Sequence, residues 1–344
     1  MRIAVFGAGS IGGPIAAHLI RARETVSVFA GNQEIAAALS EHGLDVYGVR
    51  GDLKVPIQAT VGPAAGDGPF DVVLLAMKTE RLQAAARDAL PYLAPSGFLV
   101  CCQNGVPEPR AIEVAGRERV VGGVVGWGGS MEGPGRYRVT SRGTITLGEP
   151  GGAPSERIRA FVSVLQRSGL PAKTTDNLPG VRWSKLALNC TITTLGAVSG
   201  LTIGGMVSHR PYRELAFTVM SEVADVARAE GVRLEKVAGT FEIDTLYVPT
   251  TGGTGRGKWL LRHTVLRAVG VKYRRQRSGI TRSLERGRRP EIDALNGFVV
   301  ERGRAKGVPT PLNDALTVMV RDLAEGRRQA NARVWEELLP LARR

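Results

Sequence analysis

Gly7-Ala8-Gly9-Ser10-Ile11-Gly12 stands directly after a five-residue apolar run, Arg2-Ile-Ala-Val-Phe6, and opens an apolar helical pattern. That context constrains the first turn of the chain. Gly7 permits a tight turn, Gly9 lets backbone approach a pyrophosphate, and Gly12 lets helix and strand pack closely. The N–H groups of the helix start then face the anion. Gly7, Ala8, Gly9, Ser10, Ile11 and Gly12 are therefore expected to cradle a dinucleotide. A ligand-free glycine turn is the bland alternative, and the flanking strand and helix weigh against it.

Up to about residue 147, apolar runs alternate with helical patterns, the signature of a parallel sheet covered by helices. Residues 2–6, 25–29, 71–75, 98–102 and the run from Val120 lack the alternating polarity of half-exposed strands. Helices are predicted near 12–22, 33–43, 80–90 and 107–115, added strands within 135–148, and a further helix over 155–168. Beyond Asp176-Asn-Leu-Pro-Gly180 the texture turns helical, with helices predicted over 183–199, 212–230, 290–306 and 311–328. A chain of 344 residues exceeds one usual core, so two domains are expected, 1–178 and 179–344. The first is α/β with a doubly wound sheet, and the second is helical.

The net charge of +14 is concentrated: between Arg256 and Arg289 stand 12 Lys and Arg against the single acid Glu285, or +11. Residues 250–257 form a flexible glycine-rich approach to this segment. A solvated face or a mobile lid is the favoured reading, because only Trp259 and Tyr273 interleave the charges and no nucleic-acid motif is present. Its arginines are alternatively placed to pair with a substrate carboxylate or phosphate. Three cysteines without a CxxC pair point to a reducing, cytoplasmic setting. No run of about 18 apolar residues predicts a membrane span. His18, His42, His209 and His263 show no metal-ligand spacing, so no metal is expected.

Other polar residues sit where ligands bind in doubly wound folds, at the carboxyl ends of strands. Lys78 and Asn104 follow two such strands, suited to phosphate or ribose oxygens and to nicotinamide ribose or substrate. After the second strand, Phe29-Ala-Gly-Asn32 offers neither the acid that selects NAD nor the base that selects NADP, and Asn32 suits either ribose. In the helical half, Lys185 and Asn189 share a face, with Thr193 a further turn along. Glu291, after Pro290, taken by itself reads more often as a carboxylate in the first turn of a helix, and spacing does not decide it.

Taken in order, Gly7–Gly12, Lys78, Gln103-Asn-Gly105, Lys185-Leu-Ala-Leu-Asn189-Cys, Gly287-Arg-Arg-Pro-Glu-Ile-Asp-Ala-Leu-Asn-Gly297 and Gly307-Val-Pro-Thr-Pro311 resemble the ketopantoate reductase (2-dehydropantoate 2-reductase) family. The resemblance spans most of the chain and is weakest over 232–283. It implies an N-terminal Rossmann-type domain, and a C-terminal all-helical domain of the 6-phosphogluconate dehydrogenase kind, with the active site between them. It further implies NADP, with NAD the alternative, a small 2-oxo acid as substrate, and a homodimer. On matching positions, Lys185 and Glu291 become catalytic, Asn104, Asn189, Thr193 and Gly279 substrate-binding, and Asn32, Lys78 and Asn104 cofactor-binding.

Three positions depart from the family pattern. Thr193 stands for a second Asn, Ser278-Gly279-Ile280 for a Ser-Ser-Met-type loop, and Gly31 for a basic residue. They keep open a paralogue that reduces another ketone or an imine. A cofactor-binding regulator using its basic segment on nucleic acid is the rival from outside the enzymes.

Overall fold

The computed structural model describes residues 1–236, 242–248 and 256–342, without the side chains of Arg256, Lys258 and Lys272. The predicted flexible approach at 250–255 lies outside the described residues. Two compact units divide the chain, Met1–Leu178 and Pro179–Arg344.

The first unit contains strands β1 (Arg2–Phe6), β2 (Thr25–Phe29), β3 (Leu44–Gly48), β4 (Leu53–Val55), β5 (Ala59–Thr60), β6 (Phe70–Leu75), β7 (Leu93–Cys101), β8 (Val120–Val125), β9 (Gly129–Gly133), β10 (Arg136–Val139), β11 (Ile145–Gly148) and β12 (Ala172–Thr174). Its helices are α1 (Gly12–Arg21), α2 (Gln33–His42), α3 (Leu82–Ala89), α4 (Glu108–Ala115) and α5 (Glu156–Arg167). Eight strands form the main sheet in the order β12-β11-β8-β7-β6-β1-β2-β5. It is parallel from β5 to β8, while β11 runs antiparallel to β8. Helices cover both faces, and Ile3, Ala4 and Val5 on β1 are wholly buried. That double burial is why the strands read as unbroken apolar runs. Strand order reverses at β1, with β2 on one side and β6 on the other. Such a reversal opens a crevice at the carboxyl ends of the strands.

A second sheet, β4-β3-β10-β9, was not anticipated from sequence. Its strands from 44–55 are short and partly exposed, so they carry little apolar signal. Residues 135–148 do form strands, as predicted, but divide between the two sheets, β10 in the second and β11 in the main one; β9 was not foreseen.

The second unit is helical: α6 (Leu178–Leu188), α7 (Thr194–Ser199), α8 (Ile203–Ser208), α9 (Arg210–Ala229), α10 (Ile243–Leu246), α11 (Arg256–Lys272), α12 (Gly279–Glu285), α13 (Asn296–Lys306), α14 (Pro311–Ala324) and α15 (Trp335–Ala342). The helix predicted over 183–199 starts earlier, at Leu178, because Pro179 is tolerated in a first turn. It is also broken by a π-turn, Asn189–Thr193. The helix predicted from Pro290 starts only at Asn296, because Leu295 leaves helical geometry at φ −111°, ψ −102°. Much of the basic segment is helical, and most of its described arginines are exposed, as a solvated face requires; Arg262 and His263 are buried, and Arg213 Nε donates to His263 Nδ1 at 2.9 Å.

A buried polar chain holds this unit around α14. Thr310 supplies no side-chain cap, and Glu222 on α9 takes that role. Its carboxylate accepts from Leu312 N (3.0 Å), Asn313 N (3.0 Å) and Asn313 Nδ2 (2.7 Å). Asn313 Oδ1 accepts in turn from Asn296 Nδ2 at 2.9 Å. Burial raises the Glu222 pKa from 4.5 to about 7 against the opposing pull of these donors. A folded-state value above the unfolded one means that the stability contributed by this group is fully present below about pH 4.5 and is lost as pH rises to about 7. The difference corresponds to roughly 3 kcal/mol at 1.36 kcal/mol per pH unit. Urea unfolding of wild type and Glu222→Gln across this window should therefore show wild type losing ground to the variant by up to that amount. A stability difference independent of pH would contradict the assignment.

Candidate active site

The first βα turn is built by close contacts. Gly7 adopts φ +97°, and a Cβ there would lie 2.8 Å from Met77 N, in the loop after β6. A Cβ on Gly12 would lie 2.1 Å from Gly7 O, and one on Gly13 2.4 Å from the Tyr137 ring. Gly9 differs, since a Cβ there would meet nothing within 4 Å. Its backbone therefore faces open space, as close approach of a pyrophosphate requires. No side chain caps the start of α1, so none competes for its N–H groups. Tyr137, buried on β10, donates its hydroxyl to Ala8 O at 2.8 Å. Burial raises the tyrosine pKa further, so this donor stays protonated. These contacts fit a dinucleotide, and Tyr137 is a support that no motif announced.

Two more loops leave the carboxyl ends of β6 and β7. Gln103 Nε2 donates to Leu75 O at 3.0 Å and to Met77 O at 3.1 Å. One buried amide thus fixes the Met77-Lys78 loop against the loop carrying Asn104. Lys78 is exposed, and Asn104 is half-buried before Gly105 at φ +78°.

Asn32 caps α2, its Oδ1 accepting from Ile35 N at 2.9 Å. The cap engages its amide oxygen. Beside it lies a residue that the sequence did not single out. Arg81 Nη1 donates to Gly31 O at 3.3 Å and stands 3.9 Å from where a Cβ on Gly31 would be. A guanidinium from the loop after β6 thus occupies the place of a side chain at position 31. A pattern that looks only after the second strand misses it, because Arg81 is 50 residues away in sequence.

In the second unit, Lys185 on α6 and Asn189 and Thr193 in the π-turn are half-buried. The wider π-turn frees carbonyls from the helical ladder, and the threonines answer them. Thr191 Oγ1 donates to Ala187 O at 2.8 Å, Thr193 Oγ1 to Asn189 O at 2.6 Å, and Thr194 Oγ1 to Cys190 O. The Thr193 hydroxyl therefore turns back onto the backbone of its own helix. The run Cys190-Thr-Ile-Thr-Thr194 was the available sequence signal.

Two ties hold α6 and the π-turn against the segment carrying Glu291. Asn296 Nδ2 donates to Cys190 O at 3.1 Å, and Trp183 packs on Phe298 with ring centroids 5.7 Å apart. Glu291 is half-buried and precedes a short 3-10 turn, Ile292–Ala294, with no side-chain cap on it. The reading of Glu291 as a helix first-turn carboxylate is thus corrected, since the helix begins five residues later. Gly279 opens α12, which Ser278 caps through Thr281 N at 3.0 Å. This start lies against α7, where a Cβ on Gly196 would be 3.1 Å from Ser278 Cβ, whereas a Cβ on Gly279 would meet nothing within 4 Å.

Among the described residues no cluster of His, Cys, Asp and Glu is arranged to hold a metal ion. Nor is any described helix long and apolar enough to cross a membrane.

The family model "Ketopantoate reductase PanE/ApbA" matches residues 3–152, and its C-terminal counterpart matches 177–324. A 2-dehydropantoate 2-reductase of Mesorhizobium japonicum is 30% identical over 349 aligned positions, covering 95% of this chain and 99% of that protein. The crystal structure of a PanE/ApbA family ketopantoate reductase from Ralstonia eutropha superposes with a TM-score of 0.79 at 30% identity, covering 96% of this chain and all of that one. D-mandelate dehydrogenase, solved with NADH and anilino(oxo)acetate, shares the fold with a TM-score of 0.80 at 21% identity, covering 95% of this chain and 99% of that one. The chain belongs to the ketopantoate reductase family of pyridine-nucleotide-dependent oxidoreductases.

Proposed function

We propose that this protein reduces a small 2-oxo acid with NADPH, 2-dehydropantoate to pantoate being the first candidate reaction. The observation that carries the chemistry is the pair of ties in the helical unit, Asn296 to Cys190 and Trp183 to Phe298. They set the helix bearing Lys185 and Asn189 against the segment bearing Glu291. A cation, an amide and a carboxylate are what a hydroxylated 2-oxo acid needs for its reduction and orientation.

When bound, the reduced nicotinamide supplies the hydride for the 2-oxo carbon. The glycine turn Gly7–Gly12 and the start of α1 hold the pyrophosphate, while Lys78 and Asn32 meet phosphate or ribose oxygens. Lys185 stabilises the developing alkoxide and donates its proton. Asn189 and Asn104 orient the substrate, and Glu291 accepts a hydrogen bond from a substrate hydroxyl. Thr193 and Gly279 flank the substrate. The protein is taken to work as a cytoplasmic homodimer.

A second substrate reading rests on the space at Gly279 and on the Thr193 hydroxyl, which is directed to Asn189 O. Both remove polar contacts that a compact hydroxy acid would use, and so favour a bulkier 2-oxo acid. Sites built for hydroxyl groups discriminate strongly when those partners change.

Arg81 supports the preference for NADP. Its guanidinium at Gly31 supplies the charge that the second strand's own loop lacks, and it suits bidentate pairing with a ribose 2′-phosphate. Arg81→Gln is expected to raise KM for NADPH about tenfold, a loss of about 1.4 kcal/mol, with KM for NADH unchanged. Equal effects on the two cofactors would remove Arg81 from the selection. Lys185→Ala should lower kcat by about 10²–10⁴-fold while NADPH affinity, read by fluorescence titration, stays nearly constant. Turnover at the wild-type rate would take Lys185 out of the mechanism.

A further inference from the structure

A cavity of about 670 Å³ in the first unit includes none of the residues assigned above to nucleotide or substrate. Its ionisable lining is all basic: His18 and Arg21 from α1, Arg50 from the turn after β3, and Arg142 from the loop before β11. No aspartate or glutamate lines it.

The arrangement is built rather than a chance gathering of surface side chains. His18 is only 5% exposed, and its Nδ1 lies 3.2 Å from both Ser168 O and Arg21 Nη2. Arg21 Nη2 also donates to Ser168 O at 3.3 Å. Arg50 stacks over the Trp127 ring, 4.8 Å from its centroid, and donates through Nη2 to Gly143 O. Its Nε is buried with no hydrogen-bond partner. The charges also act on one another without compensation. Burial, and then Arg142, lowers the Arg50 pKa; burial lowers that of His18 against its bond to Ser168, with Arg21 and Arg50 adding to the fall. The C-terminal end of α1 offers a partial negative charge to His18 and Arg21. That end effect does not extend to the two arginines contributed by other segments.

We propose that this cavity binds a compact, multiply charged oxyanion, a small molecule bearing phosphate or paired carboxylate groups. Arg50 and Arg142 present planar forks that pair with such groups bidentately, and Arg21 neutralises a further charge. The volume suits a metabolite rather than a lone inorganic ion. The site is independent of the nucleotide reading, since Gly7–Gly12, Asn32, Lys78, Arg81 and Asn104 are all absent from its lining.

The test is thermal unfolding of the full chain, titrated separately with pyrophosphate and with citrate, each against sodium chloride of matched ionic strength. A ligand that binds only the folded state raises Tm by mass action. The expected result is a saturable rise of several degrees with at least one anion, reduced by half or more in Arg142→Gln. Arg142 is exposed, so its replacement should spare the fold; Arg21→Gln provides an independent second variant. A response to pyrophosphate alone identifies phosphorylated ligands, and one to citrate alone identifies polycarboxylates. No rise beyond the chloride control, or an equal rise in wild type and both variants, would overturn the site. The equal rise would place the anion elsewhere, as in the pyrophosphate cradle. NADPH affinity measured on the same variants reports separately on the nucleotide reading.

Discussion

The approach of α1 to β1 is the constraint on which the first unit depends. With a Cβ on Gly12 the helix would collide with Gly7 O, and with one on Gly13 it would strike the Tyr137 ring. Backbone packed this closely leaves the helix start near the carboxyl end of β1, where strand order reverses. Tyr137 then couples the second sheet to the turn by donating to Ala8 O, so that sheet helps to shape the turn. Glycine here is selected by space at 12 and 13, by φ at 7, and by access at 9.

The helical unit uses a different device for a similar purpose. A π-turn interrupts the helix between Asn189 and Thr193, and the Cys190 carbonyl accepts from Asn296 on another segment. Asn296 belongs to a buried chain running through Asn313 to Glu222, which caps α14. The position of the Glu291 segment is therefore set by polar contacts deep in the unit, with the Trp183–Phe298 contact as the apolar complement. Buried networks of this kind specify geometry because each member is costly to leave unsatisfied.

Much of this was legible in the sequence, for identifiable reasons. Strands covered on both faces print as unbroken apolar runs, and Gly7–Gly12 prints its turn directly. Gly307, at φ +67°, ends α13 at Lys306, the end predicted from the sequence. What stayed hidden depends on contacts across sequence. Strands β4 and β5 are too short to show a period, β3 is only partly buried and prints no unbroken apolar run, and the break at Leu295 has no local cue. Arg81 reaches Gly31 across 50 residues, and Glu222 caps a helix 90 residues away. Residue type marked Lys185, Asn189 and Glu291 as candidates, yet only folding shows how the segments that carry them are joined.

The central claim is that these residues serve hydride transfer to a 2-oxo acid. Its most direct test is absorbance at the reduced-nicotinamide band, with NADPH and then NADH, each supplied with 2-dehydropantoate and a small panel of bulkier 2-oxo acids. The expected result is consumption of NADPH that depends on the 2-oxo acid, with 2-dehydropantoate or a bulkier analogue as the best substrate. Cofactor binding without consumption by any member of the panel would contradict it.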